Sequence, residues 1–200
     1  MAQAKTEQVN ELLYQALETE IGGVQVYENA VKCAINEDLK KEWTKYLEET
    51  RKHVQIVQHV FEGLGLDPST ETVGRQIVRE KAATLVQSMQ TALSAGDPSA
   101  AQLVAAEAVV DAETKDHQNW ELIGTLTEEI TGDTQKFLKE AYDEVSEQED
   151  EHLYHTMGWA RELWIESLGL KAVLPPPEEK KDVKSAIGQS RAEQARGDFK

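Results

Sequence analysis

Residues 142–159 read Tyr-Asp-Glu-Val-Ser-Glu-Gln-Glu-Asp-Glu-His-Leu-Tyr-His-Thr-Met-Gly-Trp. Tyr142, Val145 and Trp159 recur at helical spacing, and Glu149 and His152 fall on the same line. A carboxylate and an imidazole turned toward a core are costly unless something neutralises them. The pattern returns three times. Glu49 and His53 share a line with Tyr46, Ile56 and Val60; Glu113 and His117 lie between Val110 and Trp120; Glu20 continues a line through Leu13, Leu17, Val24 and Tyr27. Residues three or four apart share a helix face. All seven polar residues are therefore expected to face one interior from four helices. A bound metal pair accounts for them most simply, and the chain reads as a candidate di-metal four-helix bundle.

The rest of the 200 residues agrees with an all-α fold. There are 12 Gly and 5 Pro, and three of the prolines are consecutive, Pro175 to Pro177. Elsewhere Ala, Glu, Gln, Leu and Lys dominate, which favours helix. Helices are expected over about 6–35, 37–64, 75–93, 99–129 and 134–167. Asn36 is placed to cap the second, and Asp97-Pro98 supplies a cap and a first-turn proline for the fourth. Gly22 and Gly23 interrupt the first helix, where each glycine costs about 1 kcal/mol, so a close approach by a neighbouring helix or a ligand is expected there. The helix at 75–93 carries Ile77, Val78, Leu85, Val86 and Met89 but no histidine. It reads as a packing element or part of a dimer contact. The expected architecture is a ferritin-like four-helix bundle over 1–170, with an additional helix between helices 2 and 3. A flexible, polar, Pro-rich C-terminal tail follows over 171–200.

The net charge of −16 argues against nucleic acid and against anionic membrane surfaces, both of which want basic residues. Cys33 is the one cysteine, so no intrachain disulfide forms, and its apolar neighbours suggest a buried thiol. The opening residues lack the apolar stretch of a signal peptide. No run approaches the roughly 18 apolar residues of a membrane span. The cytoplasm is the expected location.

Four carboxylates and two or three imidazoles suit iron or manganese. Two carboxylates can bridge two ions, and four offset the charge of two divalent cations. The expected cofactor is two iron ions, with manganese as the other option; zinc would be redox-silent.

Three short stretches carry a family likeness: Leu47-Glu-Glu-Thr-Arg-Lys-His53, Val60-Phe-Glu-Gly-Leu-Gly-Leu66, and His117 ahead of Gly124-Thr-Leu126. With them the chain resembles the ferritin-like superfamily of di-iron carboxylate proteins over about residues 7–165. Within it the resemblance is closest to the bacterial stress-induced ferritin-like family of largely unassigned function. The superfamily plan takes one Glu from each of two helices and a Glu-x-x-His from each of the other two. Glu149 with His152 matches it directly, and Glu20 and Glu113 match the lone glutamates. Helix 2 departs, because Glu49 and His53 are four apart and Thr50 occupies the position three before His53. His117 is extra to the plan, either a third imidazole ligand or a group bonded to a ligating carboxylate.

The resemblance implies peroxide or oxygen redox chemistry, or ferroxidase activity, in oxidative-stress defence. Antiparallel helical pairs of this kind often dimerise, so a homodimer is expected, and the sequence does not identify the external electron donor. A rubrerythrin-type relay would need paired Cys-x-x-Cys motifs, and the Pro-rich end is unlike that of a storage cage. The other reading is a metal-free or metal-buffering helical stress or interaction scaffold without catalysis, so enzymatic activity stays open at this point. Glu18, Glu28, Glu107 and Asp116 are rivals to the chosen acids, Glu28 the strongest. His59 and His155 read as surface or flanking residues.

Overall fold

The computed structural model describes residues 5–181 and 184–197. Five long helices follow one another: α1 (Thr6–Cys33), α2 (Glu37–Leu64), α3 (Val73–Ser94), α4 (Pro98–Glu129) and α5 (Asp133–Ser167). Two short ones close the chain, α6 (Pro177–Lys181) and α7 (Ser185–Gly197). The described residues contain no strand. Helix starts follow local chemistry. Asn36 Oδ1 accepts from the backbone N–H groups of Asp38 and Leu39, and Asp97 accepts from those of Ser99 and Ala100 with Pro98 in the first turn. Thr72 starts α3 by accepting from the Arg75 N–H. Gly65, at φ 66°, closes α2 in the left-handed conformation that suits glycine.

Four of the long helices form a closed ring, in which α1 lies against α2 and α4, and α5 lies against the same two. Neighbours in the ring are antiparallel. Tyr14 meets Phe61 while Tyr27 meets Tyr46. Likewise Glu42 meets Trp159 while His53 meets Glu149. Helix α3 packs outside on α1 and α4 and carries the chain back along the bundle, so that α4 begins where α1 ends. There Gln102 Oε1 accepts from the N–H groups of Ile35 and Asn36. Gly22 marks the crossing of α1 by α3, since a Cβ there would stand 2.7 Å from Ala82 Cβ. The close neighbour expected of that glycine is therefore α3.

Apolar side chains collect in two clusters. One contains Tyr27, Leu39, Trp43, Tyr46, Met89 and Trp159. The other contains Leu13, Leu17, Val57, Phe61, Trp120 and Val145. On each ring helix the polar candidates fall between these two sets, so the acids and histidines form a layer inside the bundle, sealed above and below. Burying each large apolar side chain contributes about 1.5–3 kcal/mol, and these clusters supply the stability that a buried polar layer consumes.

The flexible, polar tail expected over 171–200 forms, among the described residues, two helices docked on α5. Glu178 is fully buried and accepts from Arg161 Nη1 at 2.6 Å. Arg196 Nη1 reaches Glu162 Oε2 at 2.7 Å. A Cβ on Gly158 or Gly188 would meet the Glu178 carboxyl. The segment has little apolar content and docks through buried ion pairs, which hydrophobic periodicity does not register. Among the described residues no helix is long and apolar enough to cross a membrane.

Candidate metal centre

Five of the seven sequence candidates meet in the polar layer. Glu20 comes from α1, His53 from α2, Glu113 from α4, and Glu149 with His152 from α5, and all five are buried. They form two adjacent groups of three, Glu20–His53–Glu149 and Glu113–Glu149–His152. Within each, one donor atom per residue lies within 4.8 Å of the others. Glu149 belongs to both. His53 Nδ1 stands 3.0 Å from Glu149 Oε1 and 3.6 Å from Glu20 Oε2. His152 Nδ1 stands 3.7 Å from Glu113 Oε2 and 3.8 Å from Glu149 Oε1.

These approaches are not aligned as hydrogen bonds. His53 Nδ1, His152 Nδ1, Glu20 Oε2, Glu113 Oε2 and Glu149 Oε2 are all buried without a hydrogen-bond partner. Atoms on the outward side of the layer are tied down instead. Trp120 Nε1 donates to Glu20 Oε1 at 2.8 Å. His53 Nε2 donates to Gln148 Oε1 at 2.7 Å, and His152 Nε2 to Glu49 Oε2 at 3.1 Å. Each ring thus bonds outward through Nε2 and turns Nδ1 inward without a hydrogen-bond partner, the arrangement of a metal-binding histidine once that nitrogen gives up any proton. Five inward donor atoms and outward atoms held by partners fit a bound cation pair.

The electrostatics agree. Burial raises the Glu20 carboxyl, opposed by His53. Burial, reinforced by Glu149, pushes Glu113 well up. Burial resists protonation of His53, but Glu20 and Glu149 override it and the ring is pushed up to about 11. Without a cation, protons supply the positive charge this layer demands.

The other two candidates stand apart. Glu49 lies at the edge, touching the outer nitrogen of His152 and standing 3.6 Å from Lys45 Nζ. His117 donates from Nε2 to Asp150 at the rim, 2.7 Å away, with its ring against Tyr154. Glu18 is buried but paired with Arg75 and Arg79 at 2.6 and 2.7 Å. Glu28 is half-buried and bonded to Arg51. Glu107 is exposed and accepts from Trp164. Asp116 is buried with Oδ1 unpartnered; burial raises its carboxyl well above the usual range, as do Glu20, Glu149 and Glu113. Thr50, in the position where the superfamily plan puts Glu, is buried and donates to the Tyr46 carbonyl.

Gln148 and Glu42 lie in line with core residues, Gln148 three after Val145 and Glu42 four before Tyr46, but neither forms a glutamate–histidine pair, the pattern that singled out the other candidates. His155 is buried rather than flanking, with Nδ1 2.7 Å from the Tyr46 hydroxyl. Its four-residue spacing to Trp159 was the only available signal.

An all-α bundle with a carboxylate–histidine layer sealed in its core defines the class: a helical protein built around a candidate metal centre. Residues 5–113 match the family described as Domain of unknown function (DUF892), and the chain belongs to that family. The matched span includes Glu20, His53 and Glu113. No curated protein and no solved structure matches the chain.

Proposed function

We propose that this chain is a ferritin-like di-metal protein that holds two iron ions, or manganese, and uses them on peroxide or oxygen in oxidative-stress defence, ferroxidase activity included. The observation that carries this reading is the set of five buried residues, Glu20, His53, Glu113, Glu149 and His152, that converge in two groups of three, each with a donor atom that has no hydrogen-bond partner. Such a set left empty would be strongly destabilising. Oxygen and imidazole donors suit iron and manganese. The ring of four helices with a crossover element, and the placing of Glu20, Glu113 and Glu149 with His152, support the ferritin-like plan.

When bound, the pair supplies two-electron redox chemistry, one electron from each ion. The residues do the rest. Glu149, common to both groups, would serve both ions, with Glu20 and His53 completing one group and Glu113 and His152 the other. Trp120, Gln148 and Glu49 fix the orientation of Glu20, His53 and His152. The two apolar clusters exclude water, and Asp116 holds a proton one helical turn from Glu113.

The test is metal content per chain, by plasma mass spectrometry, on protein made in iron- and manganese-supplemented cells without chelators. About two ions per chain are expected. Less than about a tenth of an ion, with none regained after anaerobic iron loading, would replace this reading with the metal-free scaffold. Two ions bound reversibly with no peroxide or oxygen turnover would replace it with metal buffering.

A further inference from the structure

A second polar cluster adjoins the layer at the seam of α2 and α5. The Tyr46 ring lies 4.2 Å from the His152 ring, centroid to centroid. Its hydroxyl donates to Glu42 Oε1 at 2.8 Å and receives a hydrogen bond from His155 Nδ1 at 2.7 Å. The other Glu42 oxygen accepts from Trp159 Nε1 at 2.8 Å. Tyr46, Glu42 and His155 are all buried, yet they floor a cavity of about 560 Å³ whose rim includes Lys41, Lys45 and Glu179. Tyr46 is thus the wall between a surface cavity and an imidazole of the candidate metal centre. A buried tyrosine needs one hydrogen-bond partner. This one has two, both ionisable.

We propose that Tyr46 is a redox-active residue that gives one electron to the metal pair through His152 while its proton passes to Glu42. The inference rests on the di-metal reading above. The oxidant is a hydroperoxide, acting by way of the metal pair. In the step the Tyr46 O–H bond breaks and one electron leaves the ring for the oxidised pair, which is reduced by one. The proton forms a new O–H bond on Glu42 Oε1, and a neutral phenoxyl radical remains, its oxygen still bonded to His155. Electron loss alone would strand a cation radical in a buried site; moving the proton to a carboxylate 2.8 Å away avoids that. An oxidising equivalent thereby leaves the centre toward the surface cavity instead of attacking the ligands.

The other aromatic residues are less suited. Tyr27 lies 6.0 Å from His152 between ring centroids, and the carboxylate acting on its hydroxyl is Glu113, so proton transfer there would disturb the metal-facing layer itself. Trp120 donates to Glu20 itself, and proton loss there would disturb a metal-facing carboxylate.

The experiment mixes iron-loaded full-length protein with hydrogen peroxide, freezes it within milliseconds and records electron paramagnetic resonance. A tyrosyl signal is expected in the wild-type chain and in Tyr27→Phe. It should be absent from Tyr46→Phe at unchanged iron content and unchanged circular dichroism. Glu42→Gln keeps the shape but not the base, and should form the radical roughly a hundredfold more slowly. A tyrosyl signal that persists in Tyr46→Phe overturns the proposal, and so does a loaded wild-type protein that consumes peroxide and shows none. A chain that takes up no iron overturns the di-metal reading and this inference with it, so the two failures are told apart by the metal analysis of the same sample.

Discussion

The carboxylate of Glu149 on α5 reaches across the bundle to stand 3.0 Å from His53 Nδ1 on α2. The same residue completes the second group, with Glu113 and His152. It is the one side chain common to both halves of the layer, so its loss should be felt by both.

Glu149→Ala is accordingly expected to bring metal content from about two ions per chain to below about one half. Glu113→Ala touches one group only and should leave about one ion. Plasma mass spectrometry on the two variants, purified in parallel, checks this. Equal losses in the two would remove the shared role from Glu149.

Metal binding should also stabilise the fold. At a hundredfold excess over its dissociation constant, a ligand bound only by the native state adds about 2.7 kcal/mol per site. For a chain of this size that corresponds to a rise in Tm of roughly 5–10 °C. Calorimetry before and after anaerobic loading with iron reads it directly. An identical Tm in both samples, at confirmed saturation, would mean that the site forms equally in the unfolded chain or that the metal sits elsewhere.

The pairing of Glu18 with Arg75, both nearly buried, predicts a pH dependence separate from the metal centre. Burial pushes the Glu18 carboxyl up, but Arg79 and Arg75 outweigh it and hold the carboxyl below its ordinary 4.5. A depressed carboxyl stabilises the fold above that ordinary value, and the contribution fades as pH falls through the lower folded value. Glu18→Gln should therefore be less stable than wild type at about pH 7, with the gap narrowing below about pH 4.5. Arg75→Ala leaves a buried carboxylate with the half-exposed Arg79 alone and should cost on the order of 3 kcal/mol. Urea melts across the acid range test both, and a gap that stays constant with pH would contradict the assignment.

Gly22 yields a packing prediction. Alanine is worth about 1 kcal/mol more than glycine inside a helix, but its Cβ would stand 2.7 Å from Ala82 Cβ, a methyl with no rotamer to escape into. Gly22→Ala should lower stability by about 1–2 kcal/mol in net, and Ala82→Gly in the same chain should restore part of it. Denaturant midpoints of the single and double variants decide the matter; additivity would show that α1 and α3 do not press on each other there.

How much of this was legible beforehand varies by residue. The five long helices were, because apolar periodicity and caps such as Asn36 and Asp97 are local features that precede tertiary contact. Glu20, Glu113 and Glu149, with His53 and His152, stood out because an acid or imidazole in line with core residues is itself an anomaly. Helical spacing alone, however, assigns a residue to a stripe at least about 100° wide. It does not separate the middle of that stripe from its edge, and so Glu49 and His117 looked equivalent to the five that converge.

Whether a buried acid is neutralised by an arginine or left facing other acids depends on what another helix brings opposite it. Glu18 is met by Arg75 and Arg79 of α3, while Glu20, two residues on, is met by His53 and Glu149. The Glu42–Tyr46–His155 cluster and the Arg161–Glu178 pair that anchors α6 arise in the same way, from partners on separate segments. The sequence by itself determined an all-α chain with acids and histidines in its core lines. The tertiary structure decided which of them share a centre, because that choice rests on side-chain directions across the bundle, and a one-dimensional period holds no information about those.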